Sequence, residues 1–198
     1  GKSLQLKMAK DISSYKKFQV RVYYTNDFKT VVSRADTEIN ALATIDLNEI
    51  TFKSFDYSKL ILNAKTKSFS LVATDKTRAE INLKSDNTTV ELSKNTRAKF
   101  LISSPALKMD LYQNAEAEFE GDANQMKIRM DSDSKFKGKK LLAKTLDLTT
   151  EGSASSEVNV TENLNIESSG DSEISVYGTQ KIDLKKFVDK SELKKKMN

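Results

Sequence analysis

From residue 79 onward the chain repeats a short apolar–polar–apolar triplet at almost constant spacing. Val90-Glu91-Leu92, Met109-Asp110-Leu111, Ile128-Arg129-Met130, Leu146-Asp147-Leu148 and Leu164-Asn165-Ile166 start 19, 19, 18 and 18 residues apart. A second series lies between them, each member led by a small residue: Ala79, Ala98, Ala115, Ser134, Ser156 and Ser172, stepping by 19, 17, 19, 22 and 16. Self-similarity at a fixed period of about 20 residues marks a repeat architecture, and missing it would misassign the whole fold.

Within each segment the alternation has period two. Ala79-Glu80-Ile81-Asn82-Leu83 and Ala115-Glu116-Ala117-Glu118-Phe119 put apolar residues on one side and charged or amide residues on the other. Successive side chains of a strand point to opposite faces, so each segment reads as a half-buried strand. The connections, such as Lys84-Ser85-Asp86-Asn87 and Asp131-Ser132-Asp133, read as tight polar turns.

Two architectures fit two strands per repeat. An antiparallel sandwich or barrel accounts for the alternation but not for the resemblance of every second strand. A parallel β-helix stacks equivalent strands from successive coils, and so accounts for both. A left-handed hexapeptide helix would need apolar residues every six positions. The pattern therefore predicts an all-β, right-handed parallel β-helix of about 18–19 residues per coil. Regular coils are expected over about 71–178, with irregular coils or a cap over about 1–70 and a C-terminal strand and basic tail over 179–198. No linker rich in Gly, Pro or Ser divides the chain, which reads as a single domain over 1–198. The tail 185–198 is expected to lie outside the coil stack, with Phe187 and Val188 covering the last coil.

Composition agrees with strands and limits the chemistry. Ser, Thr and Asn supply 22, 16 and 13 of the 198 residues, and these suit turns and strand faces better than helix interiors. With no Cys and no His, a thiol nucleophile, a Ser-His-Asp triad and the usual nitrogen–sulfur zinc site are excluded. No cofactor is expected.

Charge separates by region. The net charge of +5 comes from the two ends: residues 1–17 carry five Lys and one Asp, and residues 181–198 carry seven Lys against Asp183, Asp189 and Glu192. Residues 18–180 therefore sum to −3. Nucleic-acid binders put a basic stripe with stacking aromatics on the folded body, so no nucleic-acid partner is expected. No apolar run approaches the roughly 20 residues of a membrane-spanning helix, so no transmembrane segment is expected. The start, Gly1-Lys2-Ser3-Leu4, has no signal-peptide core and begins on Gly, which reads as a processed N-terminus whose leader has been removed.

Near the C-terminus, Ser168-Ser169-Gly170-Asp171-Ser172-Glu173-Ile174-Ser175-Val176-Tyr177-Gly178 is a recognisable closing motif, followed by the short strand Lys181-Ile182-Asp183-Leu184. Leu146-Asp147-Leu148 with Glu151-Gly152-Ser153-Ala154-Ser155 forms a matching strand and turn, and Asp11–Phe18 an opening segment. Together these resemble the family called putative auto-transporter adhesin, head GIN domain. The middle of the chain departs from that family, carrying Asp, Asn and Lys where glycine turns are expected. The resemblance implies a right-handed β-helix, export to the cell surface, periplasm or medium of a Gram-negative cell, and adhesion to an extracellular glycan or protein. It supplies no catalytic residues.

Candidate chemistry is sparse. Gly170 and Gly178 bracket the Ile174 strand, where glycine can take positive φ, and with Asp171 and Tyr177 they read as structural motif residues rather than a site. Asp131-Ser132-Asp133 lacks the Gly and the final acid of a calcium-binding loop and reads as a polar turn. Glu80, Lys99, Glu116, Lys135, Glu157 and Glu173 follow the small leaders, and are expected to form one ladder of largely alternating charge. The expected function is a non-catalytic surface or secreted binding module, with homo-oligomers compatible. The alternative is a carbohydrate-active β-helix enzyme, a polysaccharide lyase or hydrolase with its acids in one exterior groove.

Overall fold

The structure, a computed structural model, describes residues 4–7 and 18–197. The opening segment 11–17 lies outside the described residues. The strands are β1 (Thr30–Ser33), β2 (Glu38–Asn40), β3 (Ile45–Ser54), β4 (Lys59–Ala73), β5 (Arg78–Leu92) and β6 (Arg97–Leu111). They continue with β7 (Glu116–Met130), β8 (Lys135–Thr150), β9 (Ser155–Ser168), β10 (Glu173–Gly178), β11 (Lys181–Phe187) and β12 (Glu192–Lys195). All pairings between them are parallel, and the chain winds as a β-solenoid of about nine turns.

The period-two pattern explains each coil. In β5, Ala79, Ile81, Leu83 and Ser85 are buried while the residues between them are exposed. Asp86 and Asn87 then both face out, the alternation changes phase, and Thr88, Val90 and Leu92 are buried again. An outward pair of this kind lets one long strand bend and wall the core from two sides. Each coil thus has a leading half, like 78–85, and a trailing half, like 87–92. β1 is a trailing half and β2 a leading half. β10 and β11 are the two halves of one coil, and β12 is the leading half of the next.

Inside, equivalent residues stack in columns. Phe100 lies over Phe119 with ring centroids 4.4 Å apart, and Phe52, Phe69 and Phe136 extend the aromatic run. Hydroxyls inside the stack pair with one another, as in Thr66–Ser85 at 3.0 Å and Thr88–Ser104 at 3.0 Å, which offsets the cost of burying them.

The triplet spacing predicts that Val90, Met109, Ile128, Leu146 and Leu164 stack in one interior column; all five are interior, but the column divides in two. Val90, Met109 and Ile128 stack in sequence, and Ile128 then faces Leu148 and Leu148 faces Ile166. Leu146 instead continues from Met126 and faces Leu164. The cause is an irregularity between Glu118 and Gly121 that lengthens the coil step from 19 to 20. A strict reading of the spacing slides past that extra residue.

The C-terminal tail is also corrected. Glu192–Lys195 is not outside the stack: it pairs with Glu173–Val176, with Leu193 over Ile174. Ser191 donates to the Val188 carbonyl at 2.9 Å, closing one more corner. The alternation of Leu193 between charged neighbours was too short to stand out among so many lysines.

Candidate functional surface

The outer side of the leading halves carries the densest array of polar side chains. Neighbouring coils stack about 4.8 Å apart, so outward residues form rows running along the solenoid. The charge ladder expected from the sequence is two rows, not one. Glu80, Lys99, Glu118, Lys137 and Glu157 occupy the first, and Arg78, Arg97, Glu116 and Lys135 the second. Glu116 and Lys135 thus sit two residues away from Glu80 and Lys99. Their supposed leaders, Ala115 and Ser134, belong to the corner before the strand.

The rows are knit by ion pairs. Lys99 lies 3.3 Å from Glu118, Arg97 3.6 Å from Glu116 and Lys140 2.7 Å from Glu120. Lys137 crosses between rows to bond Glu116. That bond holds the Glu116 carboxyl below the usual carboxylate range, against a smaller opposing effect of burial, and raises the Lys137 ammonium. Glu116, Glu118 and Glu120 are thus each engaged by a lysine or arginine.

Beside the ladder runs a third outward row, Asn63–Asn82–Leu101–Glu120. With Ile61 and Lys99 it lines a shallow, open groove of about 420 Å³. Leu101 is 55% exposed in its middle. Sequence reasoning missed this stripe. The signal was present in Phe100-Leu101-Ile102, where an apolar residue occupies the outward parity between two inward ones.

The motif residues are dispersed at the C-terminal corner and strand. Gly170 has φ +81°, and a Cβ there would meet the Gly152 backbone at 2.7 Å. Gly178 has φ +93°, and its Cβ would lie 2.0 Å from the Val160 carbonyl oxygen. Asp171 donates its backbone N–H to the Gly152 carbonyl at 2.8 Å. Tyr177 is buried, with the Lys139 ammonium 4.8 Å from its ring centre. Asp131, Ser132 and Asp133 form another corner, in which the Ser132 hydroxyl donates to the Asp131 carboxylate at 3.0 Å. Among the described residues no three acids converge as a metal site, and no helix is long and apolar enough to cross a membrane.

Fold and surface together define a parallel β-solenoid with an ion-paired exterior and an open groove across its coils. The family model described as "Putative auto-transporter adhesin, head GIN domain" matches residues 1–179, and the chain belongs to that family. No curated protein and no solved structure matches it. The family description is that of an adhesin-like, surface or secreted domain.

Proposed function

We propose that the protein is a non-catalytic module of the cell surface or secreted space that binds an extracellular glycan or protein through the groove on its leading halves. The carrying observation is the row Asn63–Asn82–Leu101, in which two exposed amides and an exposed leucine lie in line beside carboxylates already neutralised by Lys99 and its neighbours. Amides bond hydroxyls and peptide groups in either sense, and Leu101 offers an apolar contact. An extended ligand crossing several coils would meet the same chemistry repeatedly. Gly170, Asp171, Tyr177 and Gly178 serve this reading as framework, and residues 1–198 act as one domain.

A glycan and matrix-protein binding array tests the reading. Leu101→Asp and Asn82→Lys, both at exposed positions, should abolish the signal of any array hit while leaving the melting temperature within a few degrees of the parent. A hit that survives both substitutions places binding elsewhere. Turnover of pectin, alginate or glycosaminoglycan by the purified protein would overturn the non-catalytic part.

A further inference from the structure

The two ends of the solenoid are complementary in step, column and charge. We infer that the C-terminal end of one chain docks on the N-terminal end of a second copy, extending the solenoid head to tail. This rests on the coil geometry and is independent of the ligand-binding reading.

The step comes first. Among the described residues, the winding begins with a trailing half, β1, followed by the leading half β2. It finishes with the trailing half β11 and then the leading half β12. A second copy placed above therefore supplies the next trailing half where the first chain stops, and β11, β12, β1 and β2 follow in unbroken order. Along their outer edges β1, β2, β11 and β12 pair with no other described strand, so among the described residues these edges carry backbone donors and acceptors without a strand partner.

The columns agree as well. One interior column runs Val31, Phe52, Leu71, Val90, Met109, Ile128, Leu148, Ile166, Leu184. Another begins Ile39, Leu60, Ala79 and ends Ile174, Leu193. Continued coil stacking sets Val31 of the second copy on Leu184 and its Ile39 on Leu193. Leu184 belongs to a column whose members from Leu71 to Ile166 are buried, yet it is 47% exposed because no coil follows it. Val31, Ile39 and Leu193 are only half-buried for the same reason.

Charge gives the direction. In the first coils, residues 25–49 carry five acids, Asp27, Asp36, Glu38, Asp46 and Glu49, against Lys29 and Arg34, a net −3, while the segment 1–24 before them carries six bases against Asp11, a net +5. Residues 181–196 carry seven lysines against Asp183, Asp189 and Glu192, a net +4. Lysines on an open edge repel a like edge, so tail-to-tail pairing is suppressed, while the acidic coils 25–49 are attracted. Glu38 over Glu192 is the one like-charge neighbour in the docked register, and Lys194 already neutralises Glu192 at 2.8 Å. A contact of this heterologous kind does not close on itself and produces linear arrays.

Sedimentation velocity on the full chain across a concentration series tests this. At low salt the weight-average mass should rise with concentration. At about 1 M salt, where the screening length falls to about 3 Å, the mass should return to that of one chain. Reversing one end (Lys186→Glu, Lys190→Glu and Lys196→Glu) or the other (Asp27→Lys, Asp36→Lys and Asp46→Lys) should leave each variant monomeric, because the coils at its two ends then carry the same sign. Mixing the two variants should restore assembly, since each then offers ends opposite to the other's. Leu184→Asp, exposed in the single chain, should abolish assembly without lowering the melting temperature. A monomer at every concentration in low salt, or assembly indifferent to these reversals, overturns the inference.

Discussion

The corner that closes each coil is built in two ways, and the change falls between residues 133 and 152. From residue 34 through residue 133, each corner holds two successive left-handed residues: Ala35-Asp36, Asp56-Tyr57, Asp75-Lys76, Lys94-Asn95, Gln113-Asn114 and Ser132-Asp133. Every pair contains an Asp or Asn, the side chains that tolerate this conformation best apart from glycine. In the later corners a single left-handed residue suffices, Gly152, Gly170 and Asp189. The backbone ladder along the corners reverses with it. Asp36, Tyr57, Lys76, Asn95 and Asn114 donate to the following corner, whereas Asp171 and Lys190 donate to the preceding one. The glycine turns expected in the middle coils are thus replaced by a different backbone solution, not by a weaker version of the same one.

The largest effect should come from a position that both halves share. Ile128→Asp places a charge in a column of fully buried apolar residues, and should cost more than about 4 kcal/mol in denaturant unfolding, or prevent folding. An equal tolerance of Asp and Val at 128 would mean the column is open to water.

The glycine corners should then separate from one another. Gly170→Ala sets a Cβ against backbone and keeps a strained φ, and should cost about 2–4 kcal/mol. Gly152→Ala is left-handed too, but its nearest contacts are at 3.4 Å, so it should cost only about 1 kcal/mol. Equal losses would show that φ alone governs these corners.

Deleting 190–198 removes β12 and uncovers Ile174. With Leu193 gone, the loss should be about 1.5–3 kcal/mol, read as a lowered melting temperature. An unchanged melting temperature would return the tail to solvent.

In the earlier corners, glycine should be welcome where it was not needed. Asn95→Gly relieves a left-handed side chain but adds unfolded-state freedom, for a net change within about 1 kcal/mol. Asn95→Val should destabilise by more, since a β-branched residue resists positive φ.

The smallest effect is in pH. Because its carboxyl is held low in the fold, Glu116 contributes stability that is present above the usual carboxylate range and is lost as pH falls through its folded value. Glu116→Gln should flatten that acid limb by less than about 1 kcal/mol, as the pair is partly exposed. A steeper acid limb in the variant would contradict the assignment.

These corners also show how far the sequence could be read. The strands were legible because burial forces period two on Ile81, Leu83, Val90 and Leu92, and parallel stacking forces the same residue types to return a coil later. The corner was not, because its requirement is on φ, and Asp-Tyr, Lys-Asn and Gln-Asn look unrelated until their conformation is seen. A small buried residue after most pairs, with a hydroxyl that bonds back in Ser58 (to the Phe55 carbonyl at 2.6 Å) and Thr77 (to the Thr74 carbonyl at 2.7 Å), was the recoverable signal. Ser58, Thr77, Thr96, Ala115 and Ser134 recur every 19 residues, a steadier rhythm than the strand leaders. The single added residue lies between Lys137 and Leu141 and lengthens the coil step from 19 to 20, whereas the triplet spacing steps by 18 there. An error of two keeps parity, so the inward residues stay legible while their register is lost. The groove beside Leu101 was hidden for the opposite reason: one outward leucine among inward neighbours is noise until the rows on either side are aligned.

Parallel stacking has a mechanical consequence for a protein tethered at one end and pulled at the other. Each coil is bonded chiefly to the coil before and after it, so tension along the chain is borne by one terminal rung at a time. Peeling a coil of about 19 residues would release roughly 65 Å of slack. Extension should proceed as a train of similar small yields in place of one rupture, so that an anchored molecule pulled by flow lengthens in steps while its remaining coils stay wound.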